Sequence, residues 1–498
     1  MEAKRKSGIL LHISSLPSKW GIGDFGKEAY RFIDRLAKNG FTYWQILPLG
    51  PNGPGNSPYQ AYSSFAGDPL FISPDELVDW KLIDESDLHE VPLFPKNKVD
   101  FAKVTEWKLA LLKKTWSNFR FHTDHLLKDE YSHFQEEHNW WLQDYALYTS
   151  CKYEFDNTPW NEWPIELKRR EAMALEKIQV KLSDKIEFEK FIQFLFFRQW
   201  FRVKEYANTK GVQIFGDLPL YVSHDSADVW GNQELFLLDK NGEPELVGGV
   251  PPDYFSEAGQ LWGNPVFNWE RLTETDYQWW IARLYFHFHL FDLVRIDHFR
   301  GLESFWAIPA GSETAKIGEW LPAKGNDLLE IMRSRLGELP IVAEDLGIIT
   351  EEVRRLRDRF NLHGMKVLQF AFESDATNEH LPHNYSDKSV VYTGTHDNNT
   401  ALGWWNSMEN EMKQNVMKYI PFCKKSLSMR LIELAWSSTA SIAIVPLQDV
   451  LALNGIARMN TPGTAIGNWC WRVTQKQLRS NSFDFMKELN VIYNRYNG

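Results

Sequence analysis

The protein has 498 residues, of which 43% are hydrophobic and 24% are charged, and its formal net charge is −11. This composition is typical of a globular protein with a large core, and the negative charge argues against nucleic acid or a membrane surface as a partner, because both attract basic patches. The three cysteines are far apart in sequence, which indicates a reducing compartment and no disulfide or zinc framework: Cys151, Cys423 and Cys470.

The N-terminal segment MEAKRKSGILLHISS begins with basic residues, but its apolar run ends after about five residues at His12. A signal peptide has a longer apolar stretch, and no part of the chain reaches the roughly 18 apolar residues of a membrane helix. We therefore expect a cytoplasmic protein with no membrane partner.

The first predicted elements form a strand–helix–strand unit. Residues 8–13 are a short apolar run that predicts a buried strand, and residues 24–37 carry apolar side chains at helical spacing. Residues 42–47 predict the second strand. Parallel strands joined by a helix make a right-handed unit.

A loop rich in glycine and proline comes after this second strand. Residues 51–68 contain Ser57, Tyr59 and Tyr62. Loops at the C-terminal ends of parallel strands build the active sites of α/β barrels, so these side chains are candidates for ligand contact. The alternative is a surface turn with packed tyrosines.

Residues 75–210 predict an inserted, mainly helical subdomain. The preceding residues 73–76 (SPDE) have the pattern of a capping box, with Pro74 at the first helical position. The later segments show helical periodicity, and none has the pattern of a barrel strand.

The strand pattern resumes at residues 211–219, which include Asp217. Residues 218–290 predict a second, loop-rich insertion. Three aromatic residues lie among its glycines and prolines: Tyr254, Phe255 and Trp262. We interpret this segment as a mobile aromatic lid, with a rigid connector as the alternative.

The remaining strand candidates complete a set of eight, interleaved with helical patterns. They lie near residues 9, 43, 213, 293, 341, 367, 390 and 442. Eight strand–helix units predict an α/β fold, a closed (β/α)8 TIM barrel with large insertions that takes up residues 1–498 as one catalytic domain.

Four of these strands end in carboxylates: Asp217, Asp297, Glu344 and Asp397. A closed parallel barrel brings such residues to one rim, and clustered like charges cost free energy unless a function uses them. Two chemistries fit, a divalent metal with oxygen ligands and glycosyl transfer with one protonated and one ionised carboxyl.

The neighbours of these carboxylates favour the second chemistry. Arg295 and Asp297 share one face of a strand, so Arg295 supplies the positive charge that a metal would bring, and it favours the ionised form of Asp297. An ion pair that merely closes a strand end is the structural alternative. The aromatic loops suit a sugar, and the chain has no glycine-rich phosphate loop.

With these residues in place, the chain resembles the 4-α-glucanotransferases of the amylomaltase type, glycoside hydrolase family 77, relatives of the α-amylase superfamily. Eight stretches between residues 11 and 464 carry the resemblance: LHISSLPS, NSPYQAYSSFAGDPLFIS, GDLPLYV, GVPPDYFSEAGQLWGNP, RIDHFRG, AEDLG, GTHDNNT and RMNTPGT.

The resemblance implies roles for individual residues. It implies that Asp297 is the nucleophile, that Glu344 is the general acid and then the base, and that Asp397 stabilises the transition state. Asp345 should face away from the site. The implied substrate-binding residues are Ser57, Tyr59, Asp217, Gln260, Trp262, Arg295, His298, His396 and Asn468.

The resemblance further implies transfer of α-1,4-glucan segments between maltooligosaccharides, or to glucose, by a retaining double displacement. We also expect no cofactor and no obligate protein partner, and no cluster of ligands in the sequence demands a metal. Retention requires the two reacting carboxyls to be about 5–5.5 Å apart, and the acid should sit in the drier place. The expected water screen is formed by residues 51–68, 247–265 and 455–468. The alternatives are an α-glucan hydrolase on the same fold and an inactive glucan-binding scaffold.

Overall fold

The computed structural model describes residues 5–121, 126–252, 257–420 and 425–498. The strands in chain order are β1 (Lys6–Leu10), β2 (Tyr43–Gln45), β3 (Gln213–Leu218), β4 (Leu246–Val250), β5 (Gln260–Pro265), β6 (Leu293–Ile296), β7 (Ser304–Pro309), β8 (Glu319–Pro322), β9 (Ile341–Ala343), β10 (His363–Val367), β11 (Ser389–Tyr392) and β12 (Ile442–Pro446).

Helices surround and connect these strands. In chain order they are α1 (Lys27–Lys38), α2 (Pro74–Asp79), α3 (Phe101–Phe121), α4 (Lys128–Glu154), α5 (Ile165–Lys168), α6 (Ala172–Lys181), α7 (Ser183–Thr209), α8 (Ala227–Gly231), α9 (Trp269–Glu274), α10 (Gln278–Leu290), α11 (Gly325–Leu336), α12 (Glu351–Arg359), α13 (Ala401–Ser407), α14 (Asn410–Tyr419), α15 (Leu427–Ser437), α16 (Leu447–Val450), α17 (Gln475–Leu478) and α18 (Ser482–Ile492).

Eight strands close into a parallel barrel in the order β1-β12-β11-β10-β9-β6-β3-β2. Strands such as β11 (SVVY) and β12 (IAIVP) are buried along their whole length, as short apolar runs in a parallel barrel should be. The barrel strands fall at the eight predicted positions, so the predicted (β/α)8 fold is confirmed. The strand expected near residue 367 spans His363–Val367. It ends at Val367 because the apolar residues that follow form a 3-10 turn at Leu368–Phe370.

The excursion between β2 and β3 consists of α2 to α7 and connecting turns. Helices α4 and α7 pack through aromatic side chains; the rings of Trp141 and Phe197, for example, lie 5.8 Å apart and almost perpendicular. Ser73 is the residue before α2 as predicted, but its side chain makes no capping hydrogen bond. The predicted capping box is therefore wrong, because Gln199 of α7 accepts the Ser73 backbone N–H at 2.6 Å.

A second sheet, which the sequence patterns did not predict, has the order β5-β4-β7-β8 and antiparallel pairing. Its strand β4 reads LVGGV, and glycine weakens the strand pattern. The glycine has a steric reason, because a Cβ at Gly248 would come within 2.8 Å of the Tyr221 ring. Tyr254 and Phe255, which belong to the predicted mobile lid, lie outside the described residues.

The helices do not have the character of membrane spans. Across the four described ranges, none is both long enough and apolar enough to cross a bilayer.

Candidate active site

Arg295 connects two of the carboxylates at the barrel rim. Strands β3 and β6 pair in register, with Asp217 opposite Arg295. The guanidinium donates from Nη1 to Asp217 Oδ2 and from Nη2 to Asp297 Oδ1, at 2.6 Å in each case. Arg295 is 4% exposed and Asp217 is 1% exposed, so the Arg295–Asp217 part of this bridge is shielded from solvent.

Asp297 lies at the open end of this bridge, with 31% of its side chain exposed. Burial nevertheless has the largest effect on its pKa and raises it to about 6, although Arg295 acts in the opposite direction, as the sequence predicts. At pH 7 the Asp297 carboxyl is still mostly ionised.

Glu344 comes directly after β9, which pairs with β6. Its Oε2 accepts the His298 backbone N–H at 2.7 Å, and its Oε1 accepts the Leu346 N–H at 3.1 Å. Burial, aided by the charge of Asp297, raises the pKa of Glu344 to about 8, and Arg295 and the two N–H groups oppose this rise. Glu344 therefore holds its proton to a higher pH than Asp297, in the order expected for an acid and a nucleophile.

Asp345 faces away from the carboxylate cluster. Its Oδ2 accepts a hydrogen bond from Arg357 Nη1 at 2.5 Å, and its Oδ1 accepts the Met365 N–H at 2.7 Å. These contacts tie the end of β9 to α12 and β10, as a structural residue would.

His298 adopts a left-handed backbone conformation, with φ 51° and ψ 47°. This conformation is uncommon outside glycine, and here it accompanies the hydrogen bond from the His298 N–H to Glu344. The imidazole meets the Trp262 ring edge-on at 4.7 Å, and Trp262 Nε1 donates to Gln260 Oε1 at 3.2 Å. Burial lowers the pKa of His298 to about 3, so the ring is neutral, and its buried Nε2 has no protein partner within the described residues.

Asp397 and His396 lie in the loop after β11. Asn460 Nδ2 donates to Asp397 Oδ1 at 2.6 Å, and His396 Nε2 lies 3.3 Å from Asp397 Oδ2. Burial favours the neutral acid, but His396 and Asn460 outweigh it and hold the pKa of Asp397 below its ordinary value. Asp397 is therefore an ionised carboxylate with 42% of its side chain exposed.

Tyr59 joins the β3 side of the rim to the β11 side. Its hydroxyl donates to Asp217 Oδ2 at 2.7 Å, and its ring stacks on His396 at 5.1 Å. The other two loop residues predicted to bind substrate make their hydrogen bonds locally: Ser57 Oγ accepts the Tyr59 N–H, and Asn468 bonds to Thr461 and Thr464. Tyr59 thus reaches the carboxylates directly, whereas Ser57 and Asn468 support their own loops.

Two groups of residues at the site were not predicted from the sequence. Asn460 and Arg458 hold Asp397, the latter by donating to its backbone carbonyl at 2.5 Å. Tyr221 places its ring 6.1 Å from that of Trp262 and 6.4 Å from that of His298. All three lie inside stretches that carry the family resemblance, RMNTPGT and GDLPLYV, which was the available signal.

The arrangement offers one carboxyl that keeps its proton near pH 7 and a neighbouring carboxylate that is mostly ionised. In the described part of the chain, no group of three or more His, Cys, Asp or Glu side chains could hold a metal ion. One protonated and one ionised carboxyl suit acid-assisted attack by a carboxylate on a bond between two sugars.

Comparisons with known proteins agree with this chemistry. The family model described as 4-alpha-glucanotransferase matches residues 11–477. A 4-alpha-glucanotransferase of Synechocystis sp. is 48% identical over 493 residues, covering 98% of both chains, and one of Aquifex aeolicus is 46% identical, covering 99% of both. The solved structure of amylomaltase from Streptococcus agalactiae in complex with acarbose superimposes with a TM-score of 0.97 at 39% identity, covering 99% of this chain and 100% of that one.

Proposed function

We infer the mechanism from the family and from the rim together: the chain belongs to the 4-alpha-glucanotransferase family, glycoside hydrolase family 77. The protein is a glucanotransferase, an enzyme of starch and glycogen metabolism, and its full-length relatives are named 4-alpha-glucanotransferases. Its substrates, its catalytic residues and the order of its chemical steps are inferred from the geometry of the carboxylates.

We propose that the enzyme cleaves and re-forms α-1,4-glucosidic bonds by double displacement. In the first step, a carboxylate oxygen of Asp297 attacks the anomeric carbon, and the bond to the leaving sugar breaks as Glu344 donates its proton to the glycosidic oxygen. The product is a glycosyl ester of Asp297. The part of the donor glucan beyond the broken bond departs, and the protonated glycosidic oxygen becomes its new hydroxyl.

The second step reverses the roles. Glu344, now ionised, accepts the proton of an incoming sugar hydroxyl, whose oxygen attacks the anomeric carbon and releases Asp297 as a carboxylate. Two inversions at one carbon restore the α configuration. The acceptor is the 4-hydroxyl of a maltooligosaccharide or of glucose.

The other charged groups hold this pair ready. Arg295 and Asp217 fix the orientation of Asp297 through the bridge at the rim, and Asp397, kept ionised by His396 and Asn460, offers two oxygens to sugar hydroxyls. A carboxylate next to the reacting ring also stabilises the positive charge that develops in an oxocarbenium-like transition state.

One observation carries the proposal. On adjacent barrel strands, burial raises the pKa of Glu344 to about 8 and that of Asp297 only to about 6. This order supports Glu344 as the acid and Asp297 as the nucleophile. The bound acarbose of the Streptococcus agalactiae amylomaltase supports a glucan-like ligand for the corresponding cleft.

Product analysis tests transfer against hydrolysis, the nearest alternative. With maltotriose as sole substrate, we expect glucose together with maltooligosaccharides longer than maltotriose, at a constant number of reducing ends. Disproportionation breaks one bond for each bond it forms, whereas hydrolysis adds one reducing end per event. Glucose and maltose alone, with reducing ends rising, would identify a hydrolase.

Trapping tests the covalent step. In Glu344→Gln, α-maltosyl fluoride can still form the ester because fluoride leaves without a proton, but removal of the ester lacks its base. We expect a maltosyl adduct on the peptide that contains Asp297, detected by mass spectrometry. The matched control is Asp297→Asn in the same assay, which should show no adduct and no turnover of maltotriose. An adduct on another carboxylate would refute the assignment of the nucleophile.

The location in the cytoplasm and activity without a protein partner stay predictions. Activity of the purified single chain on maltotriose tests the second of these directly.

A further inference from the structure

Buried side chains of the helical excursion hold the backbone of the loop that carries Tyr59. Gln193 of α7 accepts the Gly67 N–H at 2.7 Å and donates to the Gly67 carbonyl at 3.0 Å. Gln199, on the same helix, makes the same pair of hydrogen bonds with Ser73, at 2.6 and 3.2 Å. Gln193 is 0% exposed and Gln199 is 2% exposed, so water does not compete for either pair.

Two charged side chains also make hydrogen bonds to the backbone of this segment. Lys108 of α3 donates from Nζ to the Leu70 and Ile72 carbonyls, at 2.6 and 2.9 Å, and Asp228 of α8 accepts the Ser64 N–H at 2.7 Å. These side chains make hydrogen bonds to backbone N–H and C=O groups that have no partner in any described helix or sheet. The segment from residue 64 to residue 73 is therefore set by the surrounding helices.

Gly67 is pressed directly against α7. A Cβ at this position would lie 2.2 Å from the Phe196 ring, so only glycine allows the backbone to approach the helix this closely. This contact and the Gln193 pair fix the height of the loop above the helix.

The segment of residues 64–73 closes the base of the Tyr59 loop. The Asp68 N–H donates to the Leu49 carbonyl at 2.8 Å, and Asn52 Nδ2 donates to Asp68 Oδ2 at 3.3 Å. Nearer the tip, the Gly53 N–H donates to the Gln60 carbonyl at 2.9 Å. Tyr59 thus sits near the tip of a short flap that an isolated antiparallel bridge between Asn52 and Ala61 holds together, and the base of this flap is next to Gly67.

From Tyr59 the contacts lead to the nucleophile. The hydroxyl of Tyr59 bonds to Asp217, Asp217 bonds to Arg295, and Arg295 bonds to Asp297. A shift of about 1 Å in a positioning group can cost on the order of 100-fold in rate.

We propose that Gln193 is a positioning residue for the transfer reaction: its double hydrogen bond to Gly67 holds the Tyr59 flap in place over the bound glucan. The proposal rests on the proposed function, since it concerns the same cleft. It gives the helical excursion a role in catalysis: α7 sets the wall of the cleft against which the acceptor sugar, and not water, reaches the glycosyl-enzyme.

The test removes the double hydrogen bond between Gln193 and Gly67, here called the clamp, and leaves all site residues intact. For Gln193→Leu we expect KM for maltotriose to rise about tenfold, and the share of hydrolysis among products to rise several-fold, because the flap no longer excludes water. Hydrogen exchange should quicken over residues 57–68.

The chain offers two matched controls. Gln199→Leu removes the same type of clamp at Ser73, farther from Tyr59, and should change KM less than twofold. Tyr131→Phe removes hydrogen bonds to Glu187 that lie wholly between α4 and α7, and it should lower Tm without altering KM or the product ratio. If Gln193→Leu lowers Tm but leaves KM and the product ratio at wild-type values, the clamp is structural only and the proposal is overturned.

A conservative variant provides rescue. A protonated carboxyl at Gln193→Glu can both accept the Gly67 N–H and donate to the Gly67 carbonyl, whereas the ionised form can only accept. We expect near-wild-type KM at acidic pH and the Gln193→Leu phenotype at alkaline pH. A KM that matches Gln193→Leu at every pH overturns the proposal. If wild-type enzyme itself formed no longer maltooligosaccharides, the proposed function would fail, an outcome separate from any of these.

Discussion

The barrel rim and the walls above it hold their functional residues by different interactions. At the rim, Asp217, Arg295, Asp297 and Glu344 bond to one another or to backbone N–H groups of neighbouring turns, at 2.6–3.1 Å. In the walls, Trp262 and His298 meet edge-on, and Tyr59 stacks on His396.

This difference separates chemistry from binding. Short hydrogen bonds between charged groups fix atoms in direction as well as distance, which the transfer of a proton and the attack of a carboxylate require. Ring contacts fix a surface but tolerate sliding, which suits a chain of sugars that must enter and leave. We therefore expect rim variants to lower kcat and wall variants to raise KM.

The largest effect should come from Arg295→Met. The change leaves the buried Asp217 and the neighbouring Asp297 without their shared cation. Leaving a buried charge unpaired typically lowers folding stability by about 3–5 kcal/mol. We expect kcat to fall on the order of 1,000-fold, and the acidic limb of the pH profile to move to higher pH as the pKa of Asp297 rises further.

Arg295→Lys is the control for that change. It keeps the charge but loses the planar fork that reaches both carboxylates, so it should fall between wild type and Arg295→Met. Equal kcat for wild type and Arg295→Met, from initial rates at saturating maltotriose, would show that the rim does not work as a bonded unit.

The pH dependence of kcat/KM should be bell-shaped. Activity requires Asp297 ionised, so it falls as the pH drops through about 6, and it requires Glu344 protonated, so it falls as the pH rises through about 8. Because the two groups interact, these limbs belong to the pair. Glu344→Gln should lose about 100- to 10,000-fold on maltotriose and should lack the alkaline limb. An alkaline limb that persists in Glu344→Gln would assign it to another group.

The rim was predictable from sequence because barrel strands end where their apolar runs end. Asp217, Asp297 and Glu344 each lie at the end of such a run, and closure of the barrel then brings them together. The family resemblance added His396, the substrate-binding role of Trp262 and the roles of the carboxylates, which strand patterns do not contain.

The walls were less predictable because their geometry depends on long-range contacts. Nothing local marks Gln193 as the partner of Gly67, 126 positions away. The two glycines of β4 weaken its strand pattern, and one of them, Gly248, packs against the Tyr221 ring. The position of Asn460 beside Asp397 likewise depends on two loops meeting, 63 positions apart in sequence. Charge balance shows the same limit: Arg295 was an evident neighbour of Asp297, whereas the burial that outweighs it is a property of the folded cleft.

A smaller effect, confined to binding, is expected for Trp262→Ala. Loss of the ring that faces His298 should raise KM for maltotriose about tenfold, corresponding to about 1.4 kcal/mol of lost contact, with kcat within twofold of wild type. Leu261→Ala is the matched control, because this neighbour on β5 is 38% exposed and points to the opposite face of the strand. A fall in kcat with unchanged KM would contradict the division between walls and rim.

Tyr59 tests that division most finely, because one side chain belongs to both regions. Its ring is part of the wall, yet its hydroxyl donates to Asp217 at the rim, and burial raises the pKa of that hydroxyl well above 10, so it remains a donor throughout the working range. In Tyr59→Phe the ring stays and Asp217 Oδ2 keeps its bond to Arg295, so Asp217 loses one neutral donor and Arg295 loses only a long contact of 3.4 Å to the hydroxyl. Such a loss is worth about 0.5–1.5 kcal/mol. We therefore expect kcat to fall roughly three- to tenfold with KM unchanged, whereas Tyr59→Leu, which also removes the stacked ring, should raise KM as well. If Tyr59→Phe instead raises KM and spares kcat, the hydroxyl serves the sugar directly and the bond to Asp217 is incidental.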